Sequence, residues 1–228
     1  MGVVLQRKSD EVITQAQEKV IQRLSKLEVV RKEFYWGGAT ALSLFYYAHR
    51  RSFDLDFFTK KLGLFSPEFA AFVGKNLPGY KVELIEPFKI VLRGETEIDF
   101  VYQPSFIEPP DYTETGLKVM SYKDLIANKV SAFCERRYPR DVVDFYFILK
   151  HEPLWDLLSL TFKREEWCMD LPRVIAAVRE VMEFPDDISE WKIAMLKPVT
   201  AKEIKQKLEE VALEIRNTID QIKDEFSR

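Results

Sequence analysis

The hydrophobic positions change period several times along the chain. Between residues 10 and 30, Val12, Ala16, Val20, Leu24 and Leu27 recur at steps of four and three with charged residues between them. That spacing predicts an amphipathic helix. The aromatic run Phe34-Tyr35-Trp36 has strand character, and Gly37-Gly38 ends it. Ala39 to Ala48 reads as a helix with Leu42, Phe45 and Tyr46 on its inner side, and Phe53 to Thr59 is strand-like. Pro67 to Asn76 returns to helical spacing through Phe69, Phe72 and Val73. Three strand candidates follow: Lys81–Ile85, Phe88–Leu92 and Glu97–Tyr102. The last two are joined by Arg93-Gly94-Glu95-Thr96, a hairpin-like turn. Pro104 to Gly116 is proline-rich and polar, which predicts a surface loop and a domain boundary.

Beyond that loop the pattern is helical. Ser121 opens a helix with Asp124 three residues on, close to a capping-box arrangement. That helix runs to about Arg137, where Pro139 interrupts it. Further helices are expected over Arg140–Lys150, Leu154–Leu160 and Pro172–Met182. The last, Thr200 to Phe226, carries Ile204, Leu208, Val211, Ile215, Ile219, Ile222 and Phe226 at steps of three and four. Such a stripe fits packing on its own domain, or an oligomer seam. The expected class is therefore α+β. A mixed β-sheet domain with flanking helices occupies residues 1–116, and a helical domain occupies residues 117–228.

Composition narrows the classes. The 228 residues are 46% hydrophobic and 31% charged, as in ordinary globular proteins. No apolar run approaches the roughly 18 residues of a membrane span. Cys134 and Cys168 show no metal-binding spacing, and two histidines make a zinc site a poor expectation. A reduced, cytoplasmic protein follows. A net charge of −3 gives no global attraction to nucleic acid or anionic membrane, so any polyanion needs a local patch.

The candidate chemistry lies in HRRSFDLDFF, residues 49–58. Alternation in a strand projects Asp54 and Asp56 to one face while Phe53, Leu55 and Phe57 project to the other. Two adjacent carboxylates repel, more so when partly buried. A hard divalent cation, Mg²⁺ or Mn²⁺, would relieve that repulsion. EIDFVY adds Asp99 on another strand, with Glu97 on its face. Two aspartates on one strand and one on a neighbour could hold two cations and clamp a phosphoryl displacement. A DxD pair taken alone fits a solvated strand end equally well.

Two other segments matter. FYWGGATALSLF is strand, two glycines, helix: a turn that exposes N–H groups at a helix start, with Thr40 adding a hydroxyl. A bare Gly-Gly pair also serves simply to turn the chain. In DLIANKVSAFCERRYPRDVVDFYFIL, Lys129 and Arg136 share one helix face, and Asp141 and Asp144 share a face of the next. Such pairs across a helix corner serve structure or bind phosphate.

Together, WGGATALSLFYYAHRRSFDLDFF, EIDFVY and the Lys129–Asp144 segment resemble the AbiEii/AbiGii-toxin-like nucleotidyltransferases of the DNA polymerase β-like superfamily. The resemblance covers about residues 33–150. It implies transfer of a nucleoside monophosphate from an NTP to an acceptor, with Mg²⁺ (or Mn²⁺) and pyrophosphate release. Asp54, Asp56 and Asp99 would ligate metal, with Asp99 also a candidate base. Gly37, Gly38 and Thr40 would face the phosphates, Lys129 would bind the triphosphate, and Ser52, Arg136, Asp141 and Asp144 would complete the nucleotide site. Where the wider superfamily shows Gly-Ser at the turn, this chain has Gly-Gly-Ala. In related toxin systems the acceptor can be RNA, including tRNA ends, and a cognate antitoxin is often present; protein and small-molecule acceptors are also compatible. Two other readings stand beside this one: a nucleotide-binding or regulatory module without turnover, and an interaction protein that oligomerises through residues 200–226.

Overall fold

Burial alternates along Asp54–Thr59, with Leu55, Phe57 and Thr59 buried and Asp54, Asp56 and Phe58 half-buried. That strand is β2 of a computed structural model describing residues 2–164 and 170–226. Before it come α1 (Gln15–Leu24), α2 (Glu28–Glu33), β1 (Tyr35–Gly37) and α3 (Gly38–Leu42), the last continued by a π-helical turn over Ser43–Tyr47. After it come α4 (Pro67–Asn76), β3 (Lys81–Glu86), β4 (Lys89–Arg93), β5 (Glu97–Tyr102), β6 (Asp111–Tyr112) and β7 (Lys118–Val119). Helices α5 (Tyr122–Glu135), α6 (Pro139–Leu149), α7 (Leu154–Arg164), α8 (Leu171–Met182) and α9 (Ala201–Phe226) follow. The seven strands form one mixed sheet in the order β3-β4-β5-β2-β1-β7-β6.

Two expectations are corrected. The helix expected over residues 10–30 is broken: Thr14 and Gln17 form a capping box that starts α1 afresh, leaving Val12 buried in a short 3-10 turn. The expected loop at 104–116 contributes β6, an edge strand held by β7 and by a parallel bridge from Val4 to Tyr112.

Contacts divide the chain into two units, Met1–Leu125 with Ala194–Leu196, and Ile126–Ile193 with Lys197–Arg228. The dividing line falls inside α5. In the first unit, one sheet face is apolar: Trp36, Leu55, Phe57, Ile98 and Phe100 are fully buried. Phe34 stacks on Phe69 of α4 at 5.3 Å and meets Phe100 edge-on at 5.0 Å, and Phe45 packs edge-on against Trp36. Burying each such ring stabilises by roughly 1.5–3 kcal/mol, which holds the opposite face of the same strands in a fixed register. Ala194–Leu196 returns to this unit: Arg51 N–H donates to the Ala194 carbonyl and Leu196 N–H to the His49 carbonyl.

In the second unit, α9 packs on α8 and α6 through Ile204, Leu208, Val211 and Ile215, all buried. Ile219 is half-buried and Ile222 is 47% exposed, so the apolar stripe outlasts its own packing. Of Phe226 only the backbone is described. Cys134 is a buried free thiol, and Cys168 lies outside the described residues. Among the described residues no helix is long and apolar enough to cross a membrane.

Candidate active site

Sheet register determines which carboxylates meet. β2 and β5 run parallel, with Asp54 beside Glu97 and Asp56 beside Asp99. β1 runs antiparallel to β2 and sets Gly37 beside Asp56. Gly37, Asp56 and Asp99 thus form one row across three adjacent strands, and Asp54 and Glu97 lie on the same face two residues away. The face is opposite the aromatic core.

The approach to β2 is held by side chains on three successive carbonyls. Gln17 Nε2 donates to the Ser52 carbonyl at 2.9 Å, the Thr96 hydroxyl to the Phe53 carbonyl, and the Thr40 hydroxyl to the Asp54 carbonyl at 2.5 Å. Thr40 is fully buried and Ser52 nearly so. Their positions fix the start of the strand that carries Asp54. Gln17 and Thr96 were not among the sequence candidates, because nothing local marks a side chain whose partner lies across the fold.

The glycine pair is fitted to Asp56. Gly38 has φ +69°, and a Cβ built there would lie 1.8 Å from Asp56 Oδ2. A Cβ on Gly37 would lie 2.4 Å from Met120 Sδ and 2.7 Å from the Phe58 ring. Both positions therefore exclude a side chain, one for the carboxylate and one for packing.

Asp99 has a partner that the sequence did not suggest. Lys89 on β4 places Nζ 2.6 Å from Asp99 Oδ2. The other oxygen, Oδ1, is buried and has no hydrogen-bond partner. Val91 stands opposite Asp99 in the β4–β5 ladder, so Lys89, two residues away, shares its face as a diagonal neighbour. The hairpin turn at 93–96 held this information once its register was known. Glu97 pairs with Arg93 at 2.5 Å, and Arg93 also reaches Glu83 at 2.8 Å. Asp54 and Glu97 open onto a surface cleft of about 300 Å³, lined also by Phe53, Arg93 and Thr96. Among the described residues no three acidic, histidine or cysteine side chains converge closely enough to hold a metal ion. The register brings the three aspartates to one face, but their side chains do not gather.

In the second unit, Lys129 Nζ lies 2.9 Å from Asp144 and 3.8 Å from Asp141. Arg136 forks onto Asp141 through Nε at 2.8 Å and an Nη at 3.1 Å. Both aspartates are fully buried and Lys129 nearly so. Two cations thus face two carboxylates in one network, the arrangement that makes buried charge tolerable. Asp141 also lies in the first turn of α6, where the helix dipole favours an anion. The sequence candidates therefore fall into two groups, one in each unit.

The family model for the nucleotidyl transferase AbiEii toxin of type IV toxin–antitoxin systems matches residues 22–225. The chain belongs to that family, and its class of activity is nucleotidyl transfer. Among solved structures, a nucleotidyltransferase-like protein from H. pylori is 17% identical, with 94% of this chain and 98% of that one covered at a TM-score of 0.52. JHP933 from Helicobacter pylori is 18% identical over 93% and 98% of the two chains, at 0.49. MenT4, a nucleotidyltransferase toxin from Mycobacterium tuberculosis, is 14% identical over 88% and 84%, also at 0.49. At 0.52 and 17% identity, the first likeness is one of fold. No curated protein sequence matches the chain significantly.

Proposed function

We propose that the chain transfers a nucleoside monophosphate from an NTP to an acceptor hydroxyl, with release of pyrophosphate, and that Asp54, Asp56 and Asp99 hold the divalent cations this requires. The observation that carries the reading is the row Gly37–Asp56–Asp99, with Asp54 on the same face. The donor set fits the ion: all ligands are carboxylate oxygens, which suit Mg²⁺ or Mn²⁺. Asp99 Oδ1, buried and without a hydrogen-bond partner, is an atom that a cation would satisfy. When bound, divalent cations would offset phosphate charge and steady the attacking and leaving oxygens.

The chain's own residues do the rest. Gln17, Thr96 and Thr40 fix the backbone before and at Asp54, so the carboxylate enters the site from a rigid strand. Gly38 leaves room for Asp56, and the Gly37-Gly38 turn is where the phosphates would approach. Asp99 would accept the proton of the acceptor hydroxyl. Lys129, with Asp141, Asp144 and Arg136, is the set that the family resemblance assigns to the nucleotide. An antitoxin partner is proposed on the same family ground.

The test is Mg²⁺-dependent pyrophosphate release from each NTP in the presence of cell lysate, with label followed into RNA, protein or small molecules. Asp54→Asn and Asp56→Asn should each lower the rate by roughly 100-fold or more. Unchanged rates in both variants would overturn the assignment.

A further inference from the structure

We propose that Lys89 is a built-in cation for the third carboxylate. It pairs with Asp99 on the face that carries Asp54 and Asp56, competes with a divalent cation for that carboxylate, and is displaced when the cation binds. The inference rests on the reading of these aspartates as metal ligands.

Three observations carry it. Lys89 Nζ lies 2.6 Å from Asp99 Oδ2, within direct ion-pair distance. Asp99 Oδ1 is buried and unpartnered, so Lys89 satisfies only one of the two oxygens. The backbone register sets Asp56 and Asp99 side by side on adjacent strands, yet no three acidic side chains among the described residues gather to hold an ion. Adjacent strands lie about 4.8 Å apart, close enough for one ion to bridge the two carboxylates after side-chain rotation. The backbone is therefore already positioned, and Lys89 occupies an oxygen of Asp99 for which an ion would compete.

Lys89 suits a displaceable role. Its side chain is 36% exposed, whereas that of Asp99 is 11% exposed. A lysine ammonium on a flexible stem can leave for solvent at little cost, where a forked arginine would hold on. An ion pair with one half-exposed partner contributes little, and a divalent cation outcompetes it. The contact would lower metal affinity without abolishing it.

The experiment measures Mn²⁺ binding to the full chain without nucleotide, by electron paramagnetic resonance of the free ion and by calorimetry. Lys89→Met should bind Mn²⁺ roughly three- to tenfold more tightly than the unaltered protein. Arg93→Met is the control for general charge removal, since Arg93 stands on the same strand and face but reaches Glu97 and Glu83. It should change affinity by less than about twofold. Should Lys89→Met fail to fold, Lys89→Gln takes its place. An affinity for Lys89→Met within about twofold of the unaltered protein overturns the proposal. An equal gain in Arg93→Met does so too. Asp56→Asn separates the two levels of inference. If it abolishes binding while Lys89→Met has no effect, only the role of Lys89 is wrong. If binding survives Asp56→Asn in both backgrounds, the metal reading fails and this one falls with it.

Discussion

Replacing Gly38 by alanine adds one methyl group at the point where the chain turns into α3. Two penalties follow. Gly38 sits at φ +69°, where an L-residue costs about 1–2 kcal/mol. The new methyl would also lie 1.8 Å from Asp56 Oδ2, against ordinary contacts of 3.4 Å or more. Asp56 must then retreat by roughly 1.5 Å, and forcing a side chain off its rotamer with its neighbours costs about 1–3 kcal/mol. The sum is about 2–5 kcal/mol, or a fall of roughly 5–15 °C in the melting of the first unit. Gly79 supplies the internal standard. Its φ is +89° and an added Cβ would meet nothing within 4 Å, so Gly79→Ala measures backbone strain alone. Thermal and urea unfolding of Gly38→Ala, Gly79→Ala, Asp56→Ala and the Gly38→Ala/Asp56→Ala double variant complete the cycle. Gly38→Ala should cost clearly more than Gly79→Ala in the unaltered background and clearly less than that once the Asp56 carboxylate is gone, when only the Asp56 Cβ at 2.9 Å remains in its way. Equal losses in both backgrounds would mean that Asp56 does not lie over Gly38, and the fit between turn and carboxylate would be refuted.

In the second unit, Lys129→Ala should destabilise by about 3–5 kcal/mol, since it removes the ammonium that faces the buried Asp144 and Asp141 carboxylates; Lys129→Met with Asp144→Leu should recover much of that loss in urea unfolding. Tyr46 gives a pH signature. Burial, then the nearby Asp111 carboxylate, raise its phenol above the ordinary value near 10. The unfolded chain therefore releases this proton first, and stability present below pH about 10 is lost as the pH rises above it. Tyr46→Phe should flatten that alkaline decline, and identical pH profiles would contradict the assignment. Along α9, Leu208→Ala should cost about 2–5 kcal/mol while Ile222→Ala stays within roughly 0.5 kcal/mol, as thermal unfolding will show.

Local pattern revealed much of this architecture and missed what depends on distant partners. Alternation in DLDFFT and EIDFVY located β2 and β5, because strands with one buried face write their period into the sequence. It also put Asp54 and Asp56 on one face. Their alignment with Asp99 depends on parallel pairing between segments about forty residues apart, and that with Gly37 on the antiparallel β1–β2 pair, which no local period encodes. β6 and β7 escaped because two-residue strands have no period. Lys89 escaped for a related reason: on its own strand it is an ordinary half-exposed lysine, and its meaning comes from the ladder beside it. The break before α1 was present as Thr14 and Gln17, a capping box lying inside a helical hydrophobic pattern that masked it.

The return of Ala194–Leu196 to the first unit bears on how the protein is made. The backbone around His49 and Arg51, just ahead of β2, takes its hydrogen bonds from residues synthesised after most of the helical unit. A ribosome releasing the chain from its amino end would thus deliver the sheet early and its last backbone partners late. During that interval β2 would already be paired with β1 and β5, while the His49–Arg51 segment leading into it would lack these two bonds. Closure of the segment that leads into the carboxylate strand would then wait for residues 194–196, a timing set by the path of the chain rather than by any regulator.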